Sequence, residues 1–353
     1  VLTGSFGKSE GCAFIDNDKV KVLNDYDINI IYLGGRIFKL QNKNKINILA
    51  EKLAEKINIK QIDLNLISLY EINIYKNSIE YYDLISKHKI LYGKNPFNID
   101  LLKIKSDKIP LFEGSWLLRN RGMGLILSGL YFFGKKHNNF INKENLWIEI
   151  NKAKIAIGDS SLISKKIYHW NSSVKLTRID SLYKKLYQSA ILPKLEQKGI
   201  PYTMSDEELI NEWFEVKKQF LSYFLDYENK RLNKNFSQWA DYVANLSKKS
   251  NILNLKYWYY LISSDLDNNS LKMLAAKIKF DKNLSIGLTA LLLESVLSRN
   301  SIDNNIILKL NDYFKSCTLT NNKINDWSIM SKFFLLAIHP EGEVKKVVMN
   351  EEL

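Results

Sequence analysis

Acidic residues at a strand-like spacing are the feature of this sequence that points most directly to chemistry. Asp25 and Asp27 lie in DYDINIIYL (25–33), whose alternation and β-branched residues predict a strand. Because side chains two residues apart on a strand point to one face, both carboxylates are expected on that face. Asp63 begins a second predicted strand, QIDLNLISL (61–69), and its side chain is expected to join them. Clustered carboxylates repel one another unless cations lie between them, and their oxygens suit Mg²⁺ or Mn²⁺.

A Gly-Ser pair after a short apolar strand is the second chemical feature. Residues 1–3 predict the strand, and Gly4 and Ser5 follow it directly. Backbone N–H groups and a hydroxyl in such a turn suit phosphate oxygens, and Lys8 is placed to contact the same phosphate. Two divalent cations on the carboxylates would then activate an attacking oxygen and stabilise a leaving pyrophosphate.

These segments occur in a characteristic order along the chain. LTGSFGKSEG (2–11) comes first, NDYDINI (24–30) second and IDLNLI (62–67) third. A strand ending in Gly-Ser, an Asp-x-Asp strand and a third acid on a later strand form the pattern of the DNA polymerase β superfamily. The first hundred or so residues therefore resemble a nucleotidyltransferase domain of that superfamily. The stretch YYDLISKHKILYGKN (81–95) also looks like the end of minimal domains of this kind.

The resemblance implies a function and a set of roles. The enzyme would move a nucleoside monophosphate from a nucleoside triphosphate to an acceptor hydroxyl or phosphate. Gly4 and Ser5 would hold the triphosphate, while Asp25, Asp27 and Asp63 would hold the metal ions. Asp63 would also act as the general base.

Each motif also has an ordinary structural interpretation. An Asp-x-Asp pair is commonly a solvated strand edge, and a strand-initial residue such as Asp63 is often only a surface residue. Glu10, Glu80 and Asp83 remain alternatives for the third acid. The Gly-Ser pair also lies further from the Asp-x-Asp pair than in minimal members, and a hairpin predicted over residues 12–23 accounts for the excess.

The predicted fold class is α+β, a small mixed-sheet domain followed by a large all-α region. We expect a nucleotidyltransferase domain at 1–108, a helical domain packing on the active site at 109–200, and a C-terminal helical region at 201–353. The other predicted elements are the 12–23 hairpin, helices 44–57 and 78–86, a strand 89–92, and helices 112–134, 143–166, 179–198, 206–231, 235–249, 254–265, 270–279, 284–298, 303–316 and 327–338.

The helical region contains one concentrated polar group. Lys152 and Asp159 lie seven residues apart on one predicted helix, and His169 follows it. An acceptor must meet the α-phosphate in line, so it has to arrive from a wall opposite the sheet. These three residues are the candidates for that wall. The alternative is a surface ion pair and a loop histidine.

The chain is basic, with a net charge of +13 from 51 Lys and Arg against 38 Asp and Glu. This balance is compatible with nucleic acid, acidic membranes or phosphate-rich substrates. Only six of the basic residues are Arg, whose planar fork is preferred for specific phosphate and base contacts. Nucleic acid is therefore not the favoured partner.

The compartment is predicted from the cysteines and from the apolar segments. Cys12 and Cys317 are far apart and have no metal-ligand spacing, which is typical of reduced thiols in a cytoplasmic protein. The most apolar stretch, residues 122–134, is too short to span a bilayer, so no membrane partner is expected. The sequence opens at Val1 directly on a strand, which is compatible with a truncated N-terminus.

Three functions remain open at this point. The leading one is nucleotidyl transfer to an unidentified acceptor, with a small molecule or a protein favoured over RNA. The second is an antitoxin-like or regulatory partner of another protein that has kept the nucleotide site. The third is an RNA-binding or RNA-end-modifying module whose helical region contacts the nucleic acid.

Overall fold

The computed structural model contains two compact units, each built from two separate stretches of chain. One unit is Val1–Gly114 with Gly158–Tyr202, and the other is Ser115–Ile157 with Thr203–Leu353. The residues that the structure describes are 1–11, 13–16, 19–22, 25–57, 59, 62–75, 77–97, 104–133, 143–196, 204–247, 281–298, 301–315 and 327–338. The predicted helices 254–265 and 270–279 lie outside these residues.

The first unit is organised around two parallel strands, β3 (Tyr26–Tyr32) and β4 (Ile62–Ser68). The N-terminal segment lies along the other side of β3, where Leu2 forms an antiparallel bridge to Ile28. Leu2 also bridges Lys89. The arrangement is thus a small mixed sheet in the order Lys89, Leu2, β3, β4, with the N-terminal segment in its interior.

Short connections and one long crossover link these strands. The hairpin β1 (Ala13–Asp16) and β2 (Lys19–Val22) precedes β3, with Ala13 paired to Val22. Parallel strands cannot be joined by a tight turn, and α2 (Arg36–Lys56) provides the crossover and packs against β4.

Three shorter helices complete this part of the sheet domain. The single turn α1 (Gly4–Gly7) follows the N-terminal segment, α3 (Leu69–Tyr75) follows β4, and α4 (Ile79–Ser86) comes next. The Ser78 hydroxyl caps α4 by accepting a hydrogen bond from the backbone N–H of Tyr81.

The later stretch of the first unit belongs to the same core as the sheet. It contains the last residues of α6 (Lys143–Ser164), then α7 (Ser172–Arg178) and α8 (Ser181–Leu195). One buried cluster unites residues from both stretches: Tyr82, Ile109, Leu162, Ile163 and Tyr168. A second cluster lies at the end of β4 and consists of Ile67, Ile72, Leu84, Ile85 and Phe97.

The second unit is mainly helical. Its elements are most of α5 (Leu111–Phe133), the first part of α6, α9 (Asp206–Leu232), α10 (Trp239–Ser247), α11 (Lys282–Glu294), the strands β5 (Val296–Ser298) and β6 (Ser301–Ile302), α12 (Asn304–Lys315) and α13 (Trp327–Ile338). Every side chain from residue 284 to 293 of α11 is buried, so this helix forms the centre of the unit. Trp213, Trp239 and Trp327 are among the largest fully buried side chains.

Helix α9 carries clear end signals. Ser205 and Glu208 form a capping box at its start, and Asn233 takes the left-handed conformation at its end. Among the described helices, none combines the length and the apolarity needed to cross a membrane.

The structure is mostly helical with a few small strands, in agreement with the coarse prediction. The 12–23 hairpin is confirmed, with β1 and β2 paired across residues 17 and 18. Helix α2 starts at Arg36, well before the predicted residue 44, because the apolar side chains of its first half face outward and give no buried-face pattern.

Three other elements differ from the prediction. The predicted strand 89–92 is reduced to one bridge at Lys89, since the N-terminal segment offers only Leu2 as its partner. The predicted helix 179–198 corresponds to α8, while the short helix α7 before it was not predicted. The predicted helix 284–298 ends at Glu294 and continues as β5.

The division into units also differs from the three consecutive domains predicted. Residues 158–202 join the sheet domain, while residues 115–157 join the second unit. The buried cluster around Tyr168 gives the physical reason, because its members are drawn from three separate parts of the chain.

Candidate functional site

Asp27 and Asp63 occupy directly paired positions in the two parallel strands. Their Cα atoms are register partners in the ladder that joins β3 and β4. Paired residues on neighbouring strands lie about 4.8 Å apart and point to the same face of the sheet. Both side chains are half-buried. The register therefore places Asp27 and Asp63 at neighbouring positions on one face of the sheet.

The N-terminal segment is held against the strand that carries Asp27. The backbone N–H of Thr3 donates to the carbonyl oxygen of Asp27 at 2.8 Å. The buried Asn29 amide donates to the Thr3 hydroxyl at 2.8 Å, and that hydroxyl lies 3.2 Å from the Asp27 carbonyl oxygen. These contacts fix the residue before the Gly-Ser pair relative to β3.

Gly4 lies directly against the Asp27 carboxylate. Its φ is +57°, and a Cβ placed on it would lie 1.8 Å from Asp27 Oδ2. Only glycine tolerates both this conformation and this approach without strain. The Gly-Ser pair and the Asp-x-Asp pair, far apart in sequence, thus share one site.

The turn that follows Gly4 is closed by its own backbone. Lys8 N–H donates to the Gly4 carbonyl oxygen at 3.1 Å, and Glu10 N–H donates to that of Ser5 at 2.8 Å. Phe6 stacks on Tyr26, the first residue of β3, with ring centroids 4.4 Å apart. Ser5 is half-buried within this turn. The turn therefore has a defined position beside the acids.

Asp25 differs from the other two acids. It lies just before β3 and its side chain is exposed. Within the described residues, no group of three or more His, Cys, Asp or Glu side chains is close enough to hold a metal ion. The structure thus shows two acids at paired positions, with Asp25 exposed just before β3. The three-acid cluster expected from the sequence is not formed among the described residues.

Lys8 forms an ion pair inside the protein. Its ammonium donates to Oδ2 of Asp83, and both side chains are largely buried. Burial acts to lower the pKa of Lys8, but the charge and hydrogen bond of Asp83 outweigh it and raise that pKa, with Asp159 and Glu10 adding to the rise. The structure therefore places Lys8 beside the predicted phosphate turn but directs its charge toward Asp83.

A buried polar network extends from this ion pair into residues 158–202. The Tyr168 hydroxyl donates to Asp83 Oδ2 at 3.2 Å, and the Lys175 ammonium donates to the Tyr168 oxygen at 3.1 Å. Lys175 also donates to Asp159 Oδ2 at 2.9 Å, and the Tyr187 hydroxyl donates to Asp159 Oδ1 at 3.0 Å. Both oxygens of Asp159 are thus engaged.

Burial and these carboxylates affect the two tyrosines. Burial raises the pKa of Tyr168 well above its ordinary value, and the charges of Asp83 and Asp159 raise it further. The pKa of Tyr187 is raised by burial first and then by Asp159. Both phenols stay protonated over the physiological range and act as hydrogen-bond donors to the acids.

Glu10 forms a separate clamp onto α7. Its two carboxylate oxygens accept hydrogen bonds from the backbone N–H and the hydroxyl of Ser172, each at 2.7 Å. A carboxylate at the first residue of a helix is favoured by the free N–H groups there. The turn after the Gly-Ser pair is therefore tied to α4 through Lys8 and to α7 through Glu10.

The three residues predicted for the acceptor wall lie in three different local settings. Lys152 belongs to the second unit and pairs with Glu149 one helical turn away, with Nζ and Oε1 2.7 Å apart. Asp159 is buried in the network. His169 is half-buried next to Trp170 in the first unit, and burial followed by Arg178 lowers its pKa. Lys152 thus fits the ordinary ion-pair interpretation, while Asp159 has a buried pairing that the sequence did not predict.

Lys175 and Tyr187 are parts of this region that the sequence prediction missed. Lys175 lies on the buried side of α7, three residues after Ser172 and four before Ile179. A single charged residue at an apolar-face position is a signal for a buried ion pair. Asp159 gives the same signal, because it interrupts a run of small and apolar residues from 155 to 163. Such signals predict pairing but not the partner.

Comparisons with known proteins identify no relative of this chain. No protein-family model, no curated protein and no solved structure matches the chain.

Proposed function

We propose that the protein is a metal-dependent nucleotidyltransferase that moves a nucleoside monophosphate from a nucleoside triphosphate to an acceptor and releases pyrophosphate. The observation that carries this proposal is the direct pairing of Asp27 with Asp63, with Gly4 packed against the Asp27 carboxylate. A strand pair that brings two acids to a glycine-containing turn combines cation ligands with a place for phosphate.

The donor set fits Mg²⁺ or Mn²⁺. Asp27 and Asp63 offer hard carboxylate oxygens from adjacent positions, and Asp25 lies two residues before Asp27. Asp27 and Asp63 would hold the ions together with the substrate phosphates, because Mg²⁺ in such enzymes takes few protein ligands and completes its shell with phosphate and water. The ions supply charge compensation and lower the pKa of the attacking hydroxyl.

The residues of the chain have distinct roles in this proposal. Gly4 lets the turn lie directly against the Asp27 carboxylate, and the Ser5 hydroxyl and nearby N–H groups donate hydrogen bonds to a phosphate. Asp63 accepts the proton of the acceptor hydroxyl. Lys8 and Glu10 position the turn through Asp83 and Ser172. Lys8 is therefore assigned a positioning role in place of direct phosphate contact.

A labelled-nucleotide experiment tests the function. The protein is incubated with each α-³²P-labelled nucleoside triphosphate, Mg²⁺ or Mn²⁺ and a cell extract, and labelled products are separated into small-molecule, protein and RNA fractions. We expect a product in the small-molecule or protein fraction. Asp27→Asn and Asp63→Asn should reduce it at least about 100-fold, since each removes a ligand and a charge.

A matched control and a binding measurement sharpen this test. Asp107→Asn removes an exposed acid elsewhere in the first unit and should leave the product unchanged.

Mg²⁺ with a nucleoside triphosphate should raise the Tm of the wild type by mass action, and Asp27→Asn should largely abolish that rise. Full transfer by the Asp27→Asn variant would exclude the proposed site.

A second candidate function is a regulatory nucleotide-binding partner of another protein. The observation that favours it is a group of exposed apolar side chains on α2, α3 and the end of β3: Leu33, Ile37, Leu40, Tyr70 and Ile74. Helix α2 also carries six basic residues and two acidic ones, which suits an acidic partner. A nucleotide-induced rise in Tm without any labelled product would favour this function.

A further inference from the structure

The second unit contains a pocket that the proposed nucleotide site does not use. Its volume is about 700 Å³, which lies in the range of small-molecule sites. Its walls are one side of α9 and residues 294–298. The apolar part of the lining consists of Ile210, Phe214, Leu221, Val296 and Leu297.

Lys217 is the unusual residue of this lining. Lys217 is only 7% exposed, and its ammonium donates to the carbonyl oxygen of Val296. The nitrogen also lies 5.5 Å from the Trp213 ring centroid and 5.2 Å from that of Phe214. An ammonium has three N–H donors, so one carbonyl and two ring faces solvate it poorly. Burial therefore favours the neutral amine, and the carbonyl and the two rings compensate for only part of the lost water.

The other charged groups of the pocket disfavour an anionic ligand. Glu207, Glu215 and Lys218 come from α9, and Glu294 comes from the end of α11. Three carboxylates face two amines there, so a phosphate or carboxylate would meet net repulsion. A small neutral molecule with an electrophilic carbon fits the apolar walls and the amine better.

We propose that Lys217 is a nucleophilic lysine that forms an imine with small aldehydes or ketones entering this pocket. The amine nitrogen attacks the carbonyl carbon, a C–N bond forms, and the carbonyl oxygen leaves as water after taking up two protons. One of them comes from the attacking nitrogen, which keeps its second proton, and the other from solvent or from a protonated pocket carboxyl, of which Glu294 is the candidate. The product is therefore the protonated imine. No oxidant or reductant is consumed, and hydrolysis reverses the reaction.

The protonation behaviour of the pocket agrees with this chemistry. Burial lowers the pKa of Lys217 to about 8, with the charge of Glu294 opposing the shift. About a quarter of such an amine is neutral at pH 7.5, against about 0.1% for an ordinary lysine. Burial, followed by Asp303, raises the pKa of Glu294, which increases its protonated fraction. The nucleophile and its proton donor are thus both shifted toward their reactive forms.

Reductive trapping tests the proposal on the full chain. The folded protein is treated with limiting benzaldehyde and sodium cyanoborohydride at pH 7.5, and benzylated lysines are located and timed by peptide mass spectrometry. Lys217 should be modified at least about tenfold faster than Lys218, its neighbour on the same helix. The Lys217 rate should rise between pH 7 and 9 and level off above that range.

Variants separate reactivity from folding. Lys217→Met should fold with a Tm at least as high as that of the wild type and lose the fast modification, while Lys218→Arg should keep the fast modification. If Lys217→Met does not fold, the wild-type rates of Lys217 and Lys218 still decide the question. Equal rates at the two lysines, or a fast phase that maps to other lysines, would overturn the proposal.

Discussion

Gly4 makes the closest backbone approach to an acidic side chain at the site. Ala at this position places a methyl group on the Asp27 carboxylate and forces an L-residue to keep φ at +57°. We expect Gly4→Ala to lower the free energy of unfolding by more than about 2 kcal/mol and to displace Asp27. Urea denaturation measures the first effect, and the loss of Mg²⁺–nucleotide stabilisation reports the second.

Gly93 provides the control for that substitution. It also has a left-handed conformation, with φ of +82°, but a Cβ added there meets no atom within 4 Å. Gly93→Ala should therefore cost only the conformational strain, about 1–2 kcal/mol, and leave nucleotide binding intact. Equal effects of the two substitutions would show that the contact with Asp27 is unimportant.

Lys217 makes stability depend on pH in a defined direction. Its pKa falls from 10.5 to about 8 on folding, mainly through burial. Between these values the unfolded chain binds more protons than the folded one, so stability rises with pH. Lys217→Met removes this dependence and should stabilise the protein at pH 7 by roughly 1–3 kcal/mol, a gain that shrinks toward pH 10. Urea denaturation at several pH values measures it. A constant difference across pH would contradict the assignment.

At the scale of elements, the Lys8–Asp83 pair joins the turn after Gly4 to α4. The Oδ1 oxygen of Asp83 is buried without a hydrogen-bond partner among the described residues. The negative charge of Asp83 is therefore stabilised mainly by Lys8 and Tyr168. Lys8→Met should therefore destabilise the first unit by about 3–5 kcal/mol. Adding Asp83→Asn should recover much of this loss, because the uncompensated charge is removed. Chemical denaturation of the single and double variants measures both steps.

The Lys39–Glu71 pair offers a matched surface comparison. It joins α2 to α3 at 3.3 Å, but its side chains are more exposed than those of Lys8 and Asp83. Lys39→Met should change stability by less than about 1 kcal/mol. A Lys8→Met effect as small as this one would mean that the buried pair does not hold the turn in place.

Local signals mark several of the elements that the sequence predicted. Ser78 before α4 and the Ser205–Glu208 box before α9 mark helix starts, and Asp16 with its neighbours marks the hairpin turn. The predicted bounds of the described helices in the second unit agree with the structure within a few residues. The first half of α2 was not predicted, since its exposed apolar side chains carry no signal of a buried face.

The candidate site was predictable to a similar extent. The strand period of two placed Asp27 and Asp63 on predicted strands, and the parallel register then paired them. The position of Lys175 against Asp159 was not predictable, because it depends on how α7 packs onto the end of α6. The ion pair of Lys8 with Asp83 was not predicted for the same reason. Its partner lies 75 residues away, and no periodic pattern encodes that distance.

At the scale of the whole molecule, each unit has its own buried polar centre. In the second unit, Glu228 is fully buried and accepts hydrogen bonds from Ser115, Arg231 and Tyr242. Glu228→Ala leaves the Arg231 guanidinium without its carboxylate and should cost about 3–5 kcal/mol. We expect faster amide hydrogen exchange in α9 and α11, measured by mass spectrometry, because these helices belong to the same core.

Exchange in the first unit distinguishes local from global loss. Peptides from β4 and α4 should keep their wild-type exchange in the Glu228→Ala variant, since their core is the cluster around Ile72 and Ile85. Equal acceleration in both units would show that they unfold as one cooperative system.

The first unit is built from two separate stretches of chain, so its second stretch is synthesised some time after the first. Glu10 is synthesised 162 residues before its partner Ser172. The roughly 90 residues from Gly114 to Tyr202 take on the order of 5–20 s to synthesise. During that interval the nascent sheet lacks Tyr168, Leu162 and Ile163, and Tyr82 and Ile109 are left without their partners. An N-terminal fragment ending near residue 114 should therefore need a chaperone, while one ending after residue 202 should bury this surface itself.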